Sequence, residues 1–190
     1  MVMTKSQMRT EKDFLGEKQV PADAYYGIQT VRAVENFPIT GYKIHEELIK
    51  AMAMVKKAAA LANMDTKRLY EGIGQNIVKA ADELIAGNMH DQIIVDPIQG
   101  GAGTSINMNI NEVIANRALE LMGEEKGNYV PCSPNTHVNM SQSTNDAFPT
   151  AMHISVINLS EKLLETMEHM LATFKEKANE FNHVIKMGRT

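Results

Sequence analysis

The chain has 190 residues, 44% of them hydrophobic and 22% charged, and its 19 basic and 23 acidic side chains give a net charge of −4. This composition excludes collagen-like, low-complexity and largely disordered chains. No Lys/Arg block points to a nucleic acid or a membrane surface, and no apolar run approaches the ~20 residues of a membrane span. The first ten residues contain no apolar segment, so we expect no secretory signal. The single cysteine, Cys132, favours a reducing, cytoplasmic compartment.

The first predicted elements are a hairpin over residues 9–21, which turns at Gly16, and a short helix over 28–36. Three longer helices are predicted over 44–62, 69–86 and 105–122, because apolar residues recur there every three or four positions. The expected apolar row of the 44–62 helix is Ile44, Leu48, Met52, Val55, Ala59 and Ala62. Fourteen methionines and 5% aromatic residues favour a mainly α chain over a sheet sandwich.

The last predicted helix is unusually long. No glycine or proline interrupts residues 150–182, the apolar row runs from Met152 to Phe181, and Pro149 suits the first helical turn. At ~1.5 Å per residue this helix would measure ~50 Å, whereas a compact chain of this length is only ~40 Å across. Its wide apolar face should therefore pack against helices from another chain or from sequence outside these 190 residues.

Two polar segments are candidates for binding an anion. Gly100-Gly-Ala-Gly-Thr-Ser105 leads into a helix that Thr104 or Ser105 can cap, and the free N–H groups of a helix start favour negative charge. A flexible turn with an ordinary cap explains the same residues, and no Gly-Lys-Ser/Thr follows to make a P-loop. The second segment places Ser143, Thr144 and Asn145 before the long helix, where neutral donors can bind a carboxylate. Simple capping explains this segment equally well.

The other polar residues point less clearly to chemistry. The six histidines and Cys132 show no metal-ligand spacing, and His137 is interpreted as structural. Gly188-Arg189-Thr190 alone would be an ordinary helix end. One of the alternating asparagines Asn107, Asn109 and Asn111 is expected to face the candidate site or to cap a neighbouring loop. None of the candidates is a general base.

Taken together, these segments resemble the aspartase/fumarase superfamily. The resemblance rests on Asp23–Thr30, Gly100–Arg117, Pro134–Thr150 and Lys186–Thr190, and it extends over residues 10–190. The variants Gly-Gly-Ala-Gly-Thr-Ser and Gln-Ser-Thr-Asn-Asp are more similar to the ammonia-lyase branch than to class II fumarases. The implied fold is mainly α: a small N-terminal domain with a short β-hairpin over 1–140, followed over 141–190 by the start of a long-helix bundle. In this superfamily four subunits share the bundle, and each active site takes segments from three of them.

The resemblance also implies a reaction, the reversible elimination of ammonia from L-aspartate to give fumarate through an aci-carboxylate intermediate. It assigns Thr104, Ser143 and Thr144 to the β-carboxylate, and Asn145 and Thr190 to the amino group and α-carboxylate. No cofactor and no metal are implied. The superfamily's catalytic serine lies on a loop further along the chain, so we expect these residues to be an N-terminal fragment that is inactive alone.

Two alternatives remain open. A class II fumarase, which hydrates fumarate to malate, differs here mainly at Ala102 and Thr144. A non-catalytic helical oligomerisation module would account for the long helix but not for the cluster of donors. In either case we expect the chain to self-associate through residues 152–181, as a dimer or a helix-swapped dimer. No nucleic-acid or membrane partner is expected.

Overall fold

The computed structural model describes residues 7–189. Within that range the chain forms a two-stranded sheet and five α-helices. Their bounds are β1 Met8–Asp13, β2 Gly16–Pro21, α1 Ile28–Asn36, α2 Glu46–Asp65, α3 Glu71–Ile85, α4 Thr104–Leu121 and α5 Thr144–Glu180. The mainly α class and the short hairpin are thus confirmed. Packing divides the chain into two units between Ser155 and Val156, and the predicted domain division at residue 140 stays a prediction.

The hairpin is antiparallel, with Arg9 opposite Val20 and a turn between Asp13 and Gly16. Gly16 has φ +113°, a conformation that suits glycine. Both carboxylate oxygens of Asp13 accept from the guanidinium of Arg32 on α1, each at 2.7 Å. This bidentate pair fixes the hairpin against the first helix.

Helix α4 lies at the centre of the core of the first unit. Thirteen of its eighteen residues are buried, and it packs against α1, α2 and α3. Ile110, Ile114 and Leu119 are fully buried, together with Ile77 and Leu84 of α3. Each such side chain contributes roughly 1.5–3 kcal/mol of hydrophobic stabilisation. Because α4 is enclosed on all sides, its polar residues must find partners inside the protein.

The buried face of α2 is rotated by part of a turn from the predicted apolar face, so that prediction was wrong in part. Ala59 is only half-buried and Ala62 is exposed, whereas Lys56 and Asn63 lie on the buried face. The alanine-rich stretch discriminates poorly between faces, and buried hydrogen bonds bring these two polar residues inside. The helix predicted over 69–86 is present as α3, and its apolar residues Ile77 and Leu84 are fully buried.

Helix α5 begins earlier than predicted. It starts at Thr144, so Pro149 lies inside the helix and not in its first turn. The Ser143 carbonyl already accepts from the Ala147 N–H at 2.9 Å, which begins the helix one and a half turns before the proline. Pro149 has no N–H for the carbonyl of Asn145.

In the second unit, α5 continues from Val156 to Glu180 with its apolar side chains exposed. Those at 49% exposure or more include Leu163, Leu164, Met167, Met170, Leu171 and Phe174. No helix among residues 7–189 is long and apolar enough to cross a membrane.

Candidate carboxylate site

The start of α4 is shaped by glycine. Gly103 has φ +83° and precedes the first helical residue, Thr104. A Cβ at Gly103 would overlap the ring of Phe148 on α5, so glycine permits both the turn and the close approach of the two helices. Thr104 is exposed.

The prediction that Thr104 or Ser105 caps α4 was wrong. Gln99 does so from the preceding loop: its Oε1 accepts from the Ile106 N–H at 3.0 Å, and its Nε2 donates to the Asp96 carbonyl at 2.9 Å. A cap from outside the helix leaves the N–H groups of Thr104 and Ser105 without a partner among residues 7–189. These groups point outward with the positive end of the helix dipole.

At the start of α5, two hydroxyl groups accept hydrogen bonds from the protein. Ser143 Oγ accepts from the Asn145 N–H at 3.2 Å, as a helix cap does. Thr144 Oγ1 accepts from the side-chain amide of Asn107 on α4 at 3.1 Å. Neither hydroxyl donates to any residue that the structure describes. Both protons are therefore available to an outside acceptor.

The structure brings the two predicted segments together. The Asn107–Thr144 hydrogen bond and the Gly103–Phe148 contact both join the first turn of α4 to the first turns of α5. Thr104 and Ser143 are exposed and Thr144 is half-buried. Asn145 is also exposed, and its side chain has no hydrogen bond within the described part of the chain. Thr190 lies outside the described residues, so its role stays a prediction.

Beneath Thr144 lies a buried lysine that the sequence patterns did not single out. Lys56 is 0% exposed, and its Nζ donates to Asn107 Oδ1 at 2.7 Å, Asn139 Oδ1 at 2.9 Å and Gln142 Oε1 at 2.9 Å. Burial lowers the pKa of Lys56 to about 7. A lysine one turn after Met52 on a buried helical face was the available signal.

One asparagine of α4 was predicted to face the site or to cap a neighbouring loop, and the structure shows both roles on different residues. Asn107 reaches the candidate site. Asn109 caps a neighbouring loop, since its Oδ1 accepts from the Ile94 N–H at 2.9 Å and its Nδ2 donates to the Gln92 carbonyl at 3.0 Å. Asn111 donates to Asn139 Oδ1 at 3.2 Å, and its own Oδ1 is buried without a partner.

A second buried polar cluster holds the start of α1. Glu112 accepts from the N–H groups of Gly27, Gln29 and Thr30 and from the Thr30 hydroxyl, while Glu11 accepts from the Ile28 N–H at 2.8 Å. Burial raises the pKa of Glu112 against the effect of these donors. A Cβ at Gly27 would overlap this cluster. Each of these carboxylate bonds satisfies an N–H or hydroxyl group at the start of α1, so we assign the cluster to the fold.

The remaining candidates show no reactive arrangement. Cys132 is buried, and burial raises the pKa of its thiol to about 12. His137 Nδ1 accepts from the Ser133 N–H of its own turn at 2.8 Å, and burial lowers its pKa. No group of three or more metal-binding side chains occurs in the part of the chain that the structure describes.

Two cavities lie away from the paired helix starts. One, of about 400 Å³, is lined by residues that include Phe37, His90 and Asp96. The other, of about 460 Å³, is lined by residues that include Gln29 and Glu112. Neither contains Thr104, Ser143 or Thr144. In this chain the candidate carboxylate site is accessible from the surface, since Thr104 and Ser143 are exposed and Thr144 is half-buried.

Comparison with known proteins identifies the family. A family model described as Lyase matches residues 16–190. The chain belongs to this lyase family. It is 73% identical, over its whole length, to an aspartate ammonia-lyase from Bacillus subtilis (strain 168). It spans about 40% of the length of that relative, and the activity of the whole lyase is therefore treated below as a proposal.

Solved structures of the lyase family share the fold. A fumarate lyase:delta crystallin from Brucella melitensis is 49% identical with a TM-score of 0.90, over 97% of this chain and 43% of that one. A class II fumarase from Schistosoma mansoni is 37% identical with the same TM-score, over 97% of this chain and 39% of that one. This chain therefore shares its fold with the corresponding part of both proteins.

Proposed function

We propose that the full-length lyase reversibly eliminates ammonia from L-aspartate to give fumarate. One observation carries the proposal: the hydroxyl groups of Ser143 and Thr144 accept from the protein but keep their protons free. Such hydroxyls at a helix start bind a carboxylate without a full positive charge. The 73% identity to an aspartate ammonia-lyase supports ammonia as the leaving group.

These donors match the difficult part of the reaction. A base, which we propose to be a serine further along the full-length chain, takes the proton from Cβ of aspartate and leaves a doubly charged aci-carboxylate. The C–N bond then breaks, its electron pair leaves with ammonia, and the Cα–Cβ double bond forms. Preorganised donors lower the barrier when they bind the carboxylate more tightly as its charge grows. We assign this role to Ser143, Thr144 and Thr104, whose N–H lies at the start of α4. Asn145 and Thr190 are proposed to orient the amino group and the α-carboxylate.

We also propose that the lyase is a cytoplasmic homo-oligomer, a tetramer at full length. The exposed apolar side chains between Val156 and Glu180 support this, because they need partner helices. For the 190-residue chain alone we propose a dimer or a helix-swapped dimer. A folded monomer at micromolar concentration in light scattering would contradict self-association.

Two substrates discriminate between the candidate reactions. We expect the full-length protein to form fumarate from L-aspartate and not from L-malate, and the 190-residue chain assayed beside it to be inactive. Turnover of malate alone would identify a fumarase, the second candidate, which the likeness to a class II fumarase favours. A folded oligomer that turns over neither would leave the non-catalytic oligomerisation module.

Substitution at Thr144 tests the site itself. We expect Thr144→Val to lower kcat/KM for aspartate by roughly 10- to 100-fold, because one hydrogen bond to a charged group is lost. Thr144→Ser, which keeps the hydroxyl, should retain most activity. Thr150→Val on the exposed face of the same helix is the matched control. Equal activity of Thr144→Val and its control would contradict the assignment.

A further inference from the structure

The buried ammonium of Lys56 is surrounded by acceptors only. Its three hydrogen bonds go to the side-chain oxygens of Asn107 on α4, of Asn139, and of Gln142 in the turn before α5. No carboxylate pairs with it among residues 7–189. A protonated lysine has three N–H donors, whereas a neutral amine has two donors and a lone pair. The three oxygens therefore match the ammonium form, which predominates below pH ~7, since burial lowers the pKa of Lys56 to about 7.

This arrangement fixes the orientation of the Asn107 amide. An ammonium cannot accept a hydrogen bond, so the Oδ1 of Asn107 must face Lys56 and its Nδ2 must face away. Nδ2 then donates to Thr144 Oγ1 at 3.1 Å and to Asn139 Oδ1 at 3.2 Å. Since Thr144 accepts on this side, its own proton points elsewhere. A rotated amide would present its oxygen to Thr144 and bind that proton.

We propose that Lys56 is a positioning residue for the carboxylate site: by orienting the Asn107 amide, it reserves the Thr144 hydroxyl proton for the substrate. This inference rests on the proposed function, since it gives the Thr144 proton a carboxylate to bind. The alternative is a purely structural lysine that holds the turn at Asn139 and Gln142. A positioning role predicts that substitutions at Asn107 and Thr144 have coupled effects on ligand binding, whereas a purely structural role predicts no such coupling.

The most informative variant is Asn107→Asp in the full-length protein. The carboxylate has the same shape and gives Lys56 a counter-ion, which offsets the lost donation from Asn107 Nδ2 to Asn139 Oδ1, so the fold should persist. Both of its oxygens accept, however, and the Thr144 hydroxyl must then donate inward. We expect the Kd of succinate, an unreactive dicarboxylate measured by calorimetry, to rise roughly 10- to 100-fold. Lys56→Met should cause a similar loss, and Lys57→Met, at a half-buried neighbour that pairs with Asp82 away from this cluster, should stay within about twofold.

A double-mutant cycle separates positioning from simple charge repulsion. If the effect passes through the hydroxyl, Asn107→Asp should change succinate affinity by less than about twofold in a Thr144→Val background. A full additional loss there, or an unchanged affinity in Asn107→Asp alone, overturns the proposal. The cycle decides by itself if Lys56→Met does not fold.

The binding measurement also distinguishes this inference from the proposed function. A wild-type protein that binds succinate but does not turn over aspartate would refute the reaction and leave the cycle to test Lys56. A folded wild type that does not bind succinate would overturn both, because the Thr144 proton would then have no dicarboxylate to bind.

Discussion

Replacing Glu112 by glutamine tests how α4 holds the start of α1. Oε2 of Glu112 accepts from Gly27 N at 2.9 Å, Thr30 N at 3.0 Å and the Thr30 hydroxyl at 2.6 Å, and Oε1 accepts from Gln29 N at 2.8 Å. Glu112 is only 1% exposed, and its hydrogen bonds to Gly27 and Thr30 are buried, whereas the bond to Gln29 lies beside the 460 Å³ cavity. Four donors around one buried carboxylate make the change from carboxylate to amide a sensitive test.

The magnitude follows from these contacts. The amide oxygen of glutamine can replace Oε2, but its NH2 then faces the N–H of Gln29, and one charge-assisted hydrogen bond worth ~1.5–3 kcal/mol is lost. The lost negative charge at a helix start adds ~0.3–1 kcal/mol. Burial raises the pKa of Glu112, so neutralisation also relieves some desolvation. We expect the unmatched donors to outweigh that relief and to destabilise the first turn of α1 by ~2–4 kcal/mol.

Hydrogen exchange of the full-length protein, read by mass spectrometry, measures this locally. At ~1.4 kcal/mol per factor of ten, the amides of residues 28–30 should exchange roughly 30- to 700-fold faster in Glu112→Gln. Glu124→Gln, an exposed carboxylate on the loop after α4, is the control and should leave these amides within about twofold. Wild-type exchange at these amides in a folded Glu112→Gln protein would refute the reasoning.

Two further predictions concern the loops. Gly103→Ala should lower the free energy of unfolding by ~1–3 kcal/mol more than Gly123→Ala, because both have positive φ but only the first Cβ overlaps Phe148; equal urea midpoints would contradict this. For Asp96, burial raises the pKa, but hydrogen bonds from three backbone N–H groups and the Thr40 hydroxyl lower it by more. The pKa of Asp96 therefore falls from the ordinary 3.8 to about 2. Because this folded-state pKa is depressed, the stabilisation is present above pH ~4 and is lost as the pH falls toward ~2. The stability difference between wild type and Asp96→Asn should shrink across that window, and a constant difference would count against the assignment.

The regular elements were predictable because their patterns are local. The hairpin and the first four helices follow from periodicity and from glycine turns, with ends within three residues of those observed, whereas α5 begins more than a turn earlier than predicted. The buried face of α2 was not predictable. Lys56 is buried there because it donates hydrogen bonds to side chains 51 to 86 positions away in sequence. Periodicity assigns a lysine to solvent, and only the tertiary fold supplies its three acceptors.

The candidate site divides in the same way. The hydroxyls of Ser143 and Thr144 stand out in the sequence because the start of α5 carries more polar residues than a cap requires. The direction of their protons cannot be read from the sequence, because it depends on which groups donate to each hydroxyl: Asn107 to Thr144 and the Asn145 N–H to Ser143. The true cap of α4, Gln99, was also missed, because glutamine is not a typical capping residue and it acts from outside the helix.

Helix α4 connects the fold to the site through two residues on different faces. At ~100° per residue, Asn107 and Glu112 project about 140° apart around the helix axis. Asn107 turns toward Lys56 and Thr144, while Glu112 turns toward α1. The two clusters share no residue, so their perturbations should be independent. Asn107→Asp should weaken succinate binding and leave hydrogen exchange in α1 unchanged. Glu112→Gln should speed hydrogen exchange in α1 and leave succinate binding unchanged. In the double variant the losses of unfolding free energy should then add, as expected for sites without shared partners.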